Sequence, residues 1–180
     1  RLSSFTDVDE LKRVAIDGAD KVIVDGNDDD HTFTTALKIS RLVHSSCHIS
    51  AYFLDESKSE MLREHCKNVE STSSKSVEIL VRSMQDPGSS RIQEELLSTL
   101  HGDTQFSLEV GDIKQNVKFE VLFFHFKKQF DATILGVAHN RIGEGLDLNP
   151  PLEMEIKQGD ILHYMSVERV LSDEVDWQSM

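Results

Sequence analysis

The first seventy residues alternate between helical and strand-like patterns of apolar positions. Val22-Ile23-Val24 is a short, continuous apolar run, which predicts a strand buried on both faces, as in a parallel sheet. A second strand is predicted near residues 48–53. Helices are predicted before, between and after these strands: the first is capped by Thr6 or Asp7 and ends at Gly18, the second carries Phe33 and Ala36, and the third starts near Asp55. The alternation predicts βαβ units and a parallel sheet, with further strands expected before Arg1.

A different pattern occupies the middle of the chain. Residues 71–74 (STSS) are a polar connector, and residues 77–84 then carry apolar side chains at helical spacing. Asp86-Pro87-Gly88 breaks this helix, and a second amphipathic helix runs from Ile92 through Leu100 to Gly102. The pattern predicts a helical hairpin whose apolar face packs either on a partner or on the chain's own core.

The last third of the chain predicts a small α+β unit. Phe106, Leu108 and Val110 alternate with polar residues, as in a half-buried strand. Apolar residues at helical spacing predict one core-facing helix; they are Phe119, Leu122, Phe123, Phe126 and Phe130. Residues 133–138 and 161–167 are predicted strands, and the acidic tail from Ser172 to Met180 is expected to be frayed.

Composition excludes several classes of protein. The chain has 180 residues and a formal net charge of −13, and its lysines and acids are interleaved, which argues against nucleic-acid binding. Its longest apolar run is far too short to span a bilayer. Since the chain starts at Arg1 rather than methionine, we expect it to be part of a longer protein, so a membrane segment upstream stays open.

The chemistry-bearing residues form no catalytic pattern. Cys47 and Cys66 are the only cysteines and lie in no metal-ligand motif, which indicates a reducing compartment. The histidines are scattered, and none is arranged with a serine, cysteine or acid as a nucleophile would require. We therefore expect a binding module rather than an enzyme.

Five segments together resemble one known family, the regulator-of-potassium-conductance (RCK) domains, which include the Trk-type regulators. They are residues 15–24 (AIDGADKVIV), 49–55 (ISAYFLD), 134–141 (ILGVAHNR), 148–151 (LNPP) and 156–162 (IKQGDIL). The resemblance extends from about Leu2 to Met165. It implies an α/β chain in three parts: residues 1–73 as the C-terminal part of a Rossmann-like parallel sheet, 74–101 as a helix-turn-helix connector and dimer hinge, and 102–180 as a small α+β C-terminal subdomain.

The resemblance also implies a function. Domains of this family lie on the cytoplasmic face of the membrane, dimerise, and in channels form an octameric gating ring that a ligand rearranges. The implied role is regulation of potassium flux through a membrane-embedded pore. A soluble subunit of a Trk/Ktr uptake system and the cytoplasmic domain of a cation antiporter are the alternatives.

The implied ligands are a nucleotide (NAD/NADH or ADP/ATP) or Ca²⁺. The family's glycine-rich phosphate loop would lie upstream of Arg1, and Gly143 and Gly145 do not replace it, because they do not open a helix after a strand. The acidic loop after Val24 therefore provides the candidate site. Its candidate ligand-binding residues are Asp25, Gly26, Asn27 and Asp28, and its candidate metal ligands are Asp25, Asp28 and Asp55. The competing interpretation is a solvated loop that caps a helix.

Overall fold

The computed structural model describes residues 7–98, 102–143 and 145–180, and it divides into two compact units. The first unit ends at Ser76 and the second begins at Val77. The predicted separate connector thus falls almost entirely within the second unit, and the division into three parts stays a prediction. Thr6, Leu100 and His101, which the predicted helices and boundaries include, lie outside the described residues.

The first unit is a three-stranded parallel sheet with strand order β1-β2-β3. Its elements are α1 (Val8–Arg13), β1 (Lys21–Val24), α2 (Asp29–Ser40), β2 (His48–Phe53), α3 (Glu56–His65) and β3 (Val69–Ser73). Ala36, Ile39 and Leu62 of the helices pack in one core with Ile49 and Phe53 of β2. Right-handed crossovers between strands in this order place both helices on the same face of the sheet.

The opposite face of this sheet is uncovered within the described residues, which corrects one prediction. Val24 is 5% exposed, but Ile23 is 84% exposed and Tyr52 is 43% exposed. The registers pair Ile23 with Ser50 and Tyr52 with Thr72, so the alternating open positions belong to all three strands. The expectation that β1 is buried on both faces was therefore wrong.

Two other boundaries differ from the predictions. α1 ends at Arg13, because Ala15 adopts a left-handed conformation (φ 56°) and a 3₁₀ turn, Ile16–Gly18, follows. The predicted polar connector contains a strand, β3, whose Val69, Ser71 and Ser73 are buried. The Ser59 hydroxyl donates to the Ser71 hydroxyl at 3.0 Å, so hydrogen bonding rather than apolar side chains fills that part of the layer.

The second unit begins with two helices, α4 (Ser76–Gln85) and α5 (Ser89–Leu97), separated at Gly88 as predicted. A four-stranded sheet follows, with strand order β4-β9-β6-β7, beside a two-stranded β5-β8 ribbon and the helix α6 (Phe119–Phe130). The strands are β4 (Thr104–Glu109), β5 (Val117–Lys118), β6 (Thr133–Ala138), β7 (Asp147–Leu148), β8 (Glu155–Ile156) and β9 (Ile161–Ser166).

An aromatic core fills the second unit. Phe119, Leu122 and Phe126 of α6 are buried, which confirms the predicted stripe, and the Phe126 ring lies 5.8 Å from that of Tyr164 on β9. The Tyr164 hydroxyl donates to the carbonyl of Val170 (3.3 Å) and accepts from its N–H (2.9 Å), so the segment after β9 is tied to the core.

The C-terminal tail is folded, contrary to the expectation of fraying. Trp177 is 7% exposed and belongs to the core, and its Nε1–H donates to the Ser172 carbonyl at 3.0 Å. Gln178 donates to the Asp112 carbonyl at 2.6 Å. A β-carbon on Gly111 would lie 2.5 Å from Trp177 Cδ1, so this close approach of the indole requires glycine.

Candidate functional site

The acidic loop lies between β1 and α2, at the carboxyl edge of the parallel sheet, where ligands of α/β folds bind. Asp25 and Asn27 are exposed there. The Gly26 N–H donates to Thr32 Oγ1 at 2.9 Å. A β-carbon on Gly26 would lie 2.8 Å from the Thr32 backbone nitrogen, so glycine allows the loop to lie directly on the first turn of α2.

Two of the candidate metal ligands cap helices. Asp28 is the N-cap of α2, and its carboxylate accepts the His31 N–H at 2.8 Å. Asp55 is the N-cap of α3, and its carboxylate accepts from the Ser57 hydroxyl (2.8 Å) and the Ser57 N–H (2.9 Å). These two hydrogen bonds stabilise the carboxylate and lower the pKa of Asp55.

Asp29 connects the two neighbouring loops, a role that the sequence analysis missed. Its Oδ1 accepts the Leu54 N–H at 3.0 Å and its Oδ2 accepts the Asp55 N–H at 2.7 Å. An ion pair between Lys58 and Asp30 joins the same two segments and raises the pKa of Lys58. Adjacent parallel strands end at the same edge, so an acid that follows one strand closely could have been expected to bind the turn after the next strand.

The geometry favours hydrogen bonds and an ion pair that join the two loops over an assembled metal centre. Within residues 7–98, 102–143 and 145–180, no three His, Cys, Asp or Glu side chains are grouped so that they could share a metal ion. The carboxylates of Asp28, Asp29 and Asp55 instead accept backbone N–H groups. Binding of a nucleotide or of Ca²⁺ by Asp25, Gly26, Asn27, Asp28 and Asp55 therefore stays a prediction.

A second candidate surface lies on the helical pair, and we call it the hairpin surface. No residue of α4 or α5 is buried in the part of the chain that the structure describes. The exposed apolar side chains that define the hairpin surface are Val77 (71%), Leu80 (64%), Val81 (49%), Met84 (81%), Ile92 (64%) and Leu97 (78%). Within the described residues, these side chains therefore do not pack on the chain's own core, which was one of the two predicted alternatives.

Comparison with known proteins identifies the fold. No protein-family model matches the chain, and no curated protein matches it. The human SLO3 gating ring matches with a TM-score of 0.66 and 13% identity, over 92% of this chain and 36% of that one. The RCK domain of GsuK matches with a TM-score of 0.41 and 19% identity, over 92% of this chain and 34% of that one. The GsuK channel bound to NAD matches with a TM-score of 0.40 and 21% identity, over 90% of this chain and 28% of that one.

The three structural matches differ in the strength of the conclusion that they support. The two GsuK matches have TM-scores too low to support an argument, whereas the SLO3 match superposes most of the chain and shows a shared fold. This chain spans about a third of the length of the first two solved structures. No helix among the described residues is both long and apolar enough to cross a membrane. The three-stranded parallel sheet, the antiparallel sheets and the SLO3 match together confirm the predicted fold class: the chain has the α/β fold of an RCK domain.

Proposed function

We propose that this chain is a ligand-sensing regulatory domain that pairs with a second copy of itself and controls potassium flux through a channel. It would act on the cytoplasmic face of the membrane, by conformational change and without chemistry. The observation that carries the proposal is the hairpin surface, in a chain whose fold matches a gating ring.

The apolar side chains of the hairpin surface require a surface to pack against. Helices of ten and nine residues are marginal in water unless an amphipathic face is packed. The apolar side chains of α4 and α5 have no such packing within the described residues. Val77, Leu80, Val81 and Met84 share one face of α4 by their helical spacing, and an exposed apolar face of this kind marks an interface in soluble proteins.

The charges around the hairpin surface support a second copy of the chain as its partner. A chain of net charge −13 repels itself, so a self-association surface must be locally close to neutral. Residues 75–97 hold three basic and four acidic side chains. Arg82 pairs with Asp86 at 3.4 Å and Arg91 pairs with Glu94 at 3.8 Å, so the flanks of the apolar face carry little net charge.

Ligand control would follow from linkage. A ligand that binds one arrangement of the dimer more tightly shifts the population towards that arrangement. We propose the carboxyl edge of the first sheet as the ligand-binding part, with Asp25, Gly26, Asn27 and Asp28 nearest the ligand. Nucleotide and Ca²⁺ remain the candidate ligands.

Sedimentation tests the dimer. We expect the wild-type chain to dimerise in a concentration-dependent way in analytical ultracentrifugation, and Leu80→Glu and Ile92→Glu to sediment as folded monomers. Leu148→Glu is the matched control, because Leu148 is 68% exposed on β7, outside the hairpin surface. Hairpin variants that remain dimeric, or a wild-type chain that is monomeric at all concentrations, would contradict the proposal.

Potassium control is tested separately in the intact parent protein. We expect Leu80→Glu to reduce ligand-dependent potassium flux in proteoliposomes while the amount of protein stays constant. Flux that is unchanged in a monomerised variant would separate dimerisation from regulation. The coding sequence upstream of Arg1 distinguishes the alternatives, since a pore would precede a channel domain but not a Trk/Ktr subunit.

Calcium titration tests the role of Asp25. Asp25 is exposed and caps no helix. Asp25→Ala therefore removes one candidate oxygen ligand and leaves the hydrogen bonds between Asp29 and the next loop intact. We expect weaker Ca²⁺ binding in isothermal titration calorimetry than in the wild-type chain. Identical titrations would remove Asp25 from the site.

A further inference from the structure

The second unit contains an open cavity of about 420 Å³, far along the sequence from the acidic loop. Its lining comes from the end of β9 and the segment that follows, the end of α6 and the residue just before β4. The volume lies within the ~300–1,000 Å³ that small-molecule sites occupy. None of the candidate residues of the first sheet contributes to it.

Ser166 is a buried polar residue in the lining of this cavity. It is 4% exposed and occupies the same side of β9 as Leu162 and Tyr164, whose side chains face the core. Among the described residues, no donor or acceptor satisfies the Ser166 hydroxyl. Because Ser166 lines the open cavity, its hydroxyl is placed to pair with water or with a molecule bound there.

Acidic groups dominate the rest of the lining. Its four carboxylates belong to Asp103, Asp131, Glu168 and Glu174, and its single cation is Arg169. The Arg169 guanidinium lies 4.7 Å from the centre of the Phe106 ring, which already provides a cation–π contact.

Two of these carboxylates have protein contacts and two are available. Asp131 pairs with Lys127 at 2.6 Å, and Glu174 accepts the Leu171 N–H at 2.7 Å. Within the described part of the chain, Asp103 and Glu168 have neither an ion pair nor a side-chain hydrogen bond. Two carboxylates and a hydroxyl that have no side-chain partner among the described residues thus line a cavity whose net charge is negative.

The shape of the lining favours an organic cation over a metal ion. No three acidic or histidine side chains of the described residues converge closely enough to share a metal. Phe130 and Val170 add an aromatic and an aliphatic wall, which methylene groups and ammonium groups can both contact. A lining that combines carboxylates with apolar walls suits ammonium groups that are joined by methylenes.

We propose that this cavity binds an aliphatic diamine or polyamine. Ammonium groups would bind the carboxylates of Asp103 and Glu168, the methylene chain would lie on Phe130 and Val170, and an ammonium N–H would donate to the Ser166 hydroxyl. Binding here does not require the dimer proposed above, and it would provide a second input to the same domain.

Isothermal titration calorimetry with spermidine tests the site. We expect one saturable site on the wild-type chain, and at least a tenfold weaker affinity for Asp103→Asn/Glu168→Gln. The charge-matched control is Asp17→Asn/Glu64→Gln, which removes two exposed carboxylates from the first unit. We expect the affinity of this control to stay within twofold of the wild-type value.

A second variant and a competitor complete the design. Val167 lines the cavity and is 67% exposed, so Val167→Arg places a covalent cation there without disturbing the core, and it should abolish binding. Equal weakening in both double variants, or displacement by Mg²⁺ at matched ionic strength, would show unspecific attraction to an acidic chain and overturn the proposal. An absence of saturable spermidine binding to the folded wild-type chain would overturn it as well.

Discussion

The two units bury their apolar residues in different ways. In the first unit, Phe53 and Leu62 belong to a core on one face of the sheet, while Ile23 and Tyr52 remain open to solvent on the other. In the second unit, Trp177 of the tail returns to close an aromatic core. The second unit thus completes its core with its C-terminal segment. The first unit packs α2 and α3 on one face of its sheet and, within the described residues, leaves the other face exposed.

The tail offers the strongest test of this comparison. Trp177→Ala removes a large buried side chain and the anchor of residues 172–180, so we expect a loss of about 3–5 kcal/mol in the free energy of unfolding. Urea denaturation, followed by far-UV circular dichroism, measures it. Leu171→Ala is the control, because Leu171 is 51% exposed, and its effect should stay within about 0.5 kcal/mol. A loss below about 1 kcal/mol for Trp177→Ala would show that the tail is dispensable to the core.

The asymmetry of the first sheet is tested by a pair of substitutions on its two faces. Leu62→Ala opens a cavity at a fully buried position between helix and sheet and should cost about 2–5 kcal/mol. Ile23→Thr replaces an 84% exposed isoleucine with another β-branched residue and should change stability by less than about 0.5 kcal/mol. A large loss at Ile23 would mean that the second face is covered in solution, which sedimentation of the same samples would then examine.

The amino-acid pattern predicted the elements whose apolar residues are periodic. The α6 stripe and the helices that follow β1 and β2 are of this kind, because each buries an apolar face. The break at Gly88 was predicted from Asp86-Pro87-Gly88 instead, because proline and glycine end a helix whatever its burial. β3 escaped prediction because Ser71 and Ser73 are buried through hydrogen bonding and small size rather than hydrophobicity. The exposure of Ile23 was not predicted, because an apolar run shows that a strand can be buried on both faces but not whether other residues pack against each face.

The position of the acidic loop was predicted, but its contacts were not. The sequence placed the acidic loop at the end of β1, and the structure locates it at the carboxyl edge of the sheet. The contacts of Asp29 with the next loop depend on which strands are neighbours, and this is information that local spacing does not contain. The folded tail escaped for a similar reason: its single tryptophan meets Gly111, more than sixty positions earlier.

A smaller effect is expected from the glycine of the acidic loop. Gly26→Ala places a β-carbon 2.8 Å from the Thr32 backbone nitrogen, so the loop must move away from α2 at a cost of about 1–3 kcal/mol. Gly18→Ala is the matched control, because a β-carbon there meets nothing within 4 Å. Thermal unfolding of the two variants measures the difference. Equal melting temperatures would show that the loop adjusts freely and is not held by the contact with Thr32.

The smallest expected effect is a pH dependence at the cap of α3. Hydrogen bonds from Ser57 lower the pKa of Asp55, so they stabilise the folded state when Asp55 is ionised. This contribution is fully present above the pKa of Asp55 in the unfolded chain, about 4, and is lost as the pH falls through the lower pKa of the folded state. Ser57→Ala removes the hydroxyl donor, and we therefore expect it to lower the urea midpoint at pH 7 and to have progressively less effect as the pH falls below about 4. Ser107→Ala, at an exposed position on β4, should shift the midpoint equally at both pH values. A Ser57→Ala effect that does not change with pH would show that the hydroxyl acts on the backbone of the turn and not on the charge of Asp55.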